Sequence, residues 1–157
     1  MAFTLHPTLA KDSILAAKVG LLQVRLVDDA RFFWLLVVPE TTATELHDLD
    51  EKTAESLWKL TRRLGNALQA HCDADKINSA TIGNMVPQLH FHIVARHVGD
   101  AAWPHPIWGN GKAEPLADAT KVARIESIQS WLGNRCSPSL PSGSGSTERT
   151  ADKGKSE

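Results

Sequence analysis

Polar and apolar side chains alternate strictly across Gln88-Leu89-His90-Phe91-His92-Ile93. That pattern commits the stretch to a half-buried β-strand, because successive side chains of a strand point to opposite faces. Gln88, His90 and His92 then share one face. Leu89, Phe91 and Ile93 share the other and require a core to cover them. An ordinary solvent face is built from Lys, Glu or Thr. Two imidazoles and an amide in a row instead present groups that donate, accept, take up a proton or attack an electrophile.

The rest of the chain supplies partners for such a strand. Leu22, Val24 and Leu26 alternate with Gln23 and Arg25, which predicts a strand with one wet face. After Asp28-Asp29-Ala30-Arg31, the apolar run Phe32 to Val38 stops at Pro39. Its length and its aromatic and β-branched content favour a central strand, so the two runs read as a hairpin. Thr41 to Leu49 is a connection. Asp50 precedes a pattern near 3.6 residues in Ala54, Leu57, Trp58, Leu60, Thr61, Leu64 and Leu68, which predicts a helix from about Glu51 to His71. Gly65 within it is expected to allow close packing on the sheet.

Lys76 to Gly83 is a short strand with Asn78 on one of its faces, and Gly83-Asn84 turns it into the histidine strand as a second hairpin. Residues 101 to 116, rich in Trp, Pro and Gly, read as an ordered loop. Asp118 to Gly133 is an amphipathic helix burying Val122, Ile125, Ile128, Trp131 and Leu132. Residues 1 to 20 show no clear pattern, apart from a turn or helix entry at His6-Pro7 and a stop at Gly20. The expected architecture is α+β: an antiparallel sheet of about five strands with a long helix on one face, plus a C-terminal helix. The expected domain spans residues 1–136, with its core at about 20–110 and its last helix at about 118–133. Ser, Pro, Gly and charged residues dominate 137–157, which read as a disordered tail.

Of the 157 residues, 42% are hydrophobic, enough for a core, and the formal charge of -1 offers no broad basic field for a nucleic-acid backbone. Cys72 and Cys136 are too few and too widely spaced for a disulfide framework. No apolar run approaches the roughly 20 residues of a membrane span, and residues 1 to 7 lack the pattern of a signal peptide. These features predict a cytoplasmic protein with neither a membrane nor a nucleic acid as partner.

Three readings fit His90 and His92. They could be surface polarity. They could share a metal, but Gln88 is a poor third ligand and no acidic residue or cysteine shares their face, so His47 or His97 would have to swing in. Or one of them could be a nucleophile toward phosphorus, since a neutral imidazole attacks well near neutral pH and leaves when water displaces it. Elsewhere, His47 and His71 flank the long helix and read as solvated. His97 reads as rim, His105 as a loop residue, Trp58 and Trp131 as core, and Trp34 as core or dimer surface. Arg96 reads either as a phosphate contact or as one half of a salt bridge at the sheet edge.

Gln88-Leu89-His90-Phe91-His92-Ile93-Val94 resembles the motif of the histidine triad (HIT) superfamily of nucleotide hydrolases and transferases, His-φ-His-φ-His-φ-φ with φ apolar. It departs only at Gln88, which replaces the first His. An apolar strand ending at Pro39, a long helix, a strand bearing Asn78, Asn84 before the motif and Trp103-Pro104 after it are similarly placed, so the resemblance covers about residues 20 to 110. It implies that His90 attacks the α-phosphorus of a nucleotide to form a covalent nucleotidyl-histidine that water later releases. It also implies that His92 hydrogen-bonds phosphate or the bridging oxygen, that Asn84 and Asn78 contact phosphate, and that Asp28 or Asp29 lies near the ribose hydroxyls. Gln88 keeps hydrogen-bonding capacity but carries no charge. The implied protein is a homodimer acting on a dinucleoside polyphosphate or a nucleoside phosphoramidate. It needs no cofactor, although magnesium could accompany a polyphosphate substrate. Its rivals are a non-catalytic nucleotide-binding module of the same fold and a metal-dependent hydrolase using the His-x-His pair.

Overall fold

The computed structural model describes residues 3–133; the expected disordered tail lies outside the described residues. In chain order the elements are α1 (Pro7–Asp12), β1 (Ser13–Val19), β2 (Leu22–Val27), β3 (Trp34–Pro39), α2 (Glu51–Cys72), β4 (Lys76–Ala80), β5 (Phe91–Arg96) and α3 (Asp118–Trp131). A single 3-10 turn at Leu46–Asp48 precedes α2. All strands pair antiparallel in one sheet ordered β1-β2-β3-β5-β4. This is the expected α+β architecture, and it places the histidine strand inside the sheet, between β3 and β4.

One face of the sheet is apolar. Asp50 caps α2 by accepting from the Thr53 N–H at 3.0 Å, satisfying a donor that would otherwise be orphaned at the helix start. Leu57, Leu60, Leu64 and Leu68 of α2 then pack with Val24, Leu35, Val37 and Ile93 of the sheet in the main core. Each fully buried leucine of this kind contributes about 1.5–3 kcal/mol. Trp58 lies one residue around the helix from Leu57 and is 62% exposed, which corrects its assignment to the core. On α3, Ile128 is buried while Val122 is 55% exposed, so the buried stripe there is narrower than expected. A Cβ added at Gly65 would sit 3.8 Å from Ile77 Cγ2, an ordinary contact, so close packing does not require glycine there.

The other face is covered as well. Phe3, Leu5 and Leu9 from the N-terminal segment and α1 pack on Val27, Leu36, Val38 and Val86. Ala102 and Ile107 of the Trp-rich loop pack on Phe32 and Val94. Consequently every residue of β2 is buried, and Gln23 and Arg25 do not form a wet face. Their polarity is satisfied internally, as burial demands. Arg25 donates to Ser13 Oγ, the Ser13 carbonyl and Gln23 Oε1, while Gln23 donates to Glu40.

One strand, β1, is not expected from the sequence, β3 and β4 are shorter than expected (Trp34–Pro39 and Lys76–Ala80), and the start of β5 is displaced. β1 escapes pattern reading because its register slips between Leu15 and Ala17. A bulge of this kind inserts a residue and breaks the two-residue period. β5 begins at Phe91 rather than Gln88, and residues 81–90 form an irregular connection instead of a tight Gly-Asn turn. Pro87, which has no N–H to give to a ladder, lies in that connection.

Candidate functional site

β5 carries His92 into the sheet opposite Leu36 of β3 and Ala80 of β4, and His90 stands just ahead of the strand. Their rings remain neighbours, edge to face with centroids 4.8 Å apart, and they are 5% and 6% exposed respectively. His90 Nδ1 lies 2.7 Å from the Gln88 carbonyl oxygen. A carbonyl only accepts, so Nδ1 carries the proton and Nε2 keeps its lone pair. His92 has the opposite tautomer. The Trp34 indole N–H donates to His92 Nδ1 at 3.0 Å, which leaves the proton on Nε2. Burial, followed by the charge of His90 when protonated, pushes the His92 pKa down to about 3, so His92 is a neutral hydrogen-bond donor around pH 7. The pair thus offers one nucleophilic nitrogen and one N–H donor a ring apart. Trp108 packs edge-on against both Trp34 and His92, and its buried indole N–H has no partner among the described residues.

The two histidines open onto different pockets. His90 borders a polar one of about 460 Å³, with Thr44, Glu45, Thr81 and Asn84 in its wall. His92 borders a largely apolar one of about 480 Å³, walled by Leu9, Val27, Trp34, Leu36 and Val86, with Asp28 at its margin. Each lies in the size range of small-molecule sites. Among the described residues no three His, Cys, Asp or Glu side chains converge to hold a metal ion.

The residues singled out from the sequence are distributed unevenly over this site. Asn84 joins His90 at the polar pocket. Asp28 reaches the apolar pocket, but its carboxylate also accepts from the Leu116 N–H at 2.8 Å and pairs with Lys121 at 3.3 Å. Asp29 is buried and paired with Arg31. Asn78 lines neither of these pockets, because Arg96 donates to its Oδ1 at 2.6 Å. Arg96 itself is 1% exposed and bidentate with Asp100 at 2.7 and 2.9 Å, so it is a buried structural cation rather than a phosphate contact. Gln88 borders the polar pocket, yet its amide is bonded to the N-terminal segment. His47, His97 and His105 are exposed; His71 is exposed too, with its ring edge-on to Phe33 and Trp131.

Trp34, Thr44, Glu45 and the α1 residues were not predicted for the site. Trp34 has a retrospective signal, since it shares parity with Leu36, the register partner of His92. The others carry none, because only the folded chain brings the 41–49 connection and α1 to β5.

The fold and site together define an α+β domain whose paired imidazoles border a polar and an apolar pocket, each of small-molecule size. The HIT domain family model matches residues 23–99. A histidine triad protein from Sinorhizobium meliloti is 37% identical, with 82% of this chain and 96% of that one covered at a TM-score of 0.79. One from Bradyrhizobium japonicum is 40% identical, covering 83% and 98% at 0.78. One from Marinobacter aquaeolei is 31% identical, covering 85% and 98% at 0.82. No curated protein matches the chain. The chain belongs to the histidine triad (HIT) family, whose fold supports function of the nucleotide-binding or nucleotide-hydrolase type.

Proposed function

We propose that the protein is a nucleotide hydrolase or transferase that cleaves at the α-phosphate through a nucleotidyl-histidine on His90. The observation that carries this reading is the Gln88 carbonyl on His90 Nδ1 at 2.7 Å, which in the neutral ring reserves the Nε2 lone pair, in a residue that borders a polar pocket. In the first step Nε2 attacks the α-phosphorus, an N–P bond forms, and the bond to the leaving group breaks as that group takes a proton from solvent, to which the attacking water of the second step returns one. The neutral His92 donates its Nε2–H to a phosphoryl oxygen or to the bridging atom. Water then attacks phosphorus, the N–P bond breaks, and the nucleoside monophosphate departs. In this reading the apolar pocket receives the nucleoside, with Asp28 at its margin as the acceptor for the hydroxyls, and the polar pocket receives the leaving group beside Asn84.

The charge of the polar pocket favours one leaving group. Its wall contains the carboxylate of Glu45 and no Lys or Arg. An amine released from a nucleoside phosphoramidate suits that environment, whereas a polyphosphate would meet a like charge unless magnesium accompanied it.

The first test is mass-spectrometric trapping of a nucleotidylated His90 during turnover of a panel containing adenosine phosphoramidate and dinucleoside polyphosphates. His90→Ala is expected to lower turnover by three orders of magnitude or more, roughly the cost of deleting a nucleophile, while the fold persists. A wild-type rate in that variant refutes the assignment. Binding without release in the wild-type protein would instead support the non-catalytic module. We further propose a cytoplasmic homodimer, which sedimentation of the purified protein tests for assembly.

A further inference from the structure

Gln88, the one departure from the motif, makes two hydrogen bonds through its side-chain amide, whose parallel donor and acceptor differ in geometry from the ring nitrogens of an imidazole. Its Oε1 accepts from the His6 backbone N–H at 2.9 Å, and its Nε2 donates to the Thr4 carbonyl at 2.9 Å. The side-chain amide thereby imitates a peptide unit pairing with an extended strand. The segment it holds is not a loose end. Phe3 and Leu5 pack into the cluster with Leu36 and Val86, and the His6 ring accepts from the Thr8 N–H at the start of α1. From there Thr8 and Leu9 wall the apolar pocket that His92 borders. The same residue's main chain works in the other direction, since its carbonyl fixes the His90 tautomer. One residue therefore ties the N-terminal segment by its side chain and the nucleophile by its backbone.

We infer that Gln88 is a positioning residue: its amide latches residues 3–12 over the site, and the latch in turn holds the carbonyl that orients His90. This rests on the proposed role of His90. It goes beyond that role in making the N-terminal segment part of the machinery that sets the reactive tautomer. The amide stands where a first histidine would stand without itself touching phosphate.

Three readouts test it on the full chain. Gln88→Met keeps the bulk and removes both bonds; Gln88→Glu keeps the acceptor for His6 and loses the donor to Thr4. The single-turnover rate of nucleotide transfer to His90 is expected to fall in the order Gln, Glu, Met, by about tenfold at the end of the series. Nitrogen-15 shifts of the His90 ring, read without any substrate, are expected to show loss of the Nδ1–H form in Gln88→Met. Amide exchange of residues 3–12 is expected to accelerate in the same variant.

His6→Pro compared with His6→Ala isolates the N–H donor. Both lose the ring, only proline loses the N–H, and the His6 φ of -57° already suits proline. The proline variant is expected to be at least about fivefold slower than the alanine one. An unchanged His90 tautomer and transfer rate in Gln88→Met, with the N-terminal segment released, overturns the inference. So does unchanged exchange of that segment. Failure of His90 to form an adduct in the wild-type protein defeats the proposed chemistry instead, and leaves the ring shifts to judge the latch alone.

Discussion

The two faces of the sheet are equally covered but differently built. Beneath α2 the contacts are leucine, valine and isoleucine, each contributing through area removed from water. Beneath the N-terminal segment and the Trp-rich loop, the sheet buries Arg25, Arg96, His90 and His92. Those groups contribute nothing by area alone and must each find partners. Stability on the first face is spread over many interchangeable contacts. On the second, smaller apolar clusters are joined by a few specific hydrogen bonds, two of which, Trp34 to His92 and His90 to the Gln88 carbonyl, set the tautomers.

The largest expected effect tests that difference. Arg96 ties Asp100, Asn78 and the His105 carbonyl together, and Asp100 is held at a pKa of about 2, chiefly by its hydrogen bonds to Arg96. Arg96→Met leaves that carboxylate with only the His97 and Ala102 N–H groups and is expected to cost about 3 kcal/mol in urea unfolding. A loss below about 1 kcal/mol would show that the two faces do not differ in this way.

The next is a pH dependence peculiar to the site face. His92 takes a proton near pH 6.5 when unfolded and only near 3 when folded. Between those values the unfolded chain binds more protons, so stability falls as pH falls, by up to about 1.4 kcal/mol per pH unit from this group. His92→Asn is expected to flatten the slope of unfolding free energy measured from about pH 4 to 7.

Trp34→Phe keeps an aromatic ring but removes the N–H that fixes the His92 tautomer. We expect about a tenfold loss of turnover, equivalent to about 1.4 kcal/mol of barrier, beyond a modest loss of stability from the smaller ring. Loss of stability without loss of rate would make Trp34 simply core. The smallest effect belongs to the helix side and has the opposite sign. Gly65→Ala fits the space beside Ile77 and is expected to stabilise by about 0.5–1 kcal/mol, through helix propensity and a less flexible unfolded chain.

The apolar side was the more legible of the two. The leucine spacing of α2, the unbroken apolar run of β3 and the apolar positions of β2 and β5 that face α2 report directly on burial, because a regular element repeats its environment with its own period. Where the period broke, reading failed: at the bulge in β1, and at Pro87, ahead of β5. Trp58 shows a different failure, since large and apolar does not mean buried when a residue lies just outside the stripe. On the site side, Gln23 and Arg25 looked solvent-facing because polarity in sequence gives no sign of a partner that will arrive from elsewhere.

The sequence by itself determined the histidine pair, the α+β layer and the family, because these depend on side-chain identity and on periods of a few residues. Only the tertiary structure decided that Gln88 bonds the N-terminal segment, that Trp34 sets the tautomer of His92, and that Asn78 belongs to Arg96. A hydrogen bond needs its two atoms within about 3 Å, and for groups tens of residues apart in the chain that proximity exists only once the fold has formed.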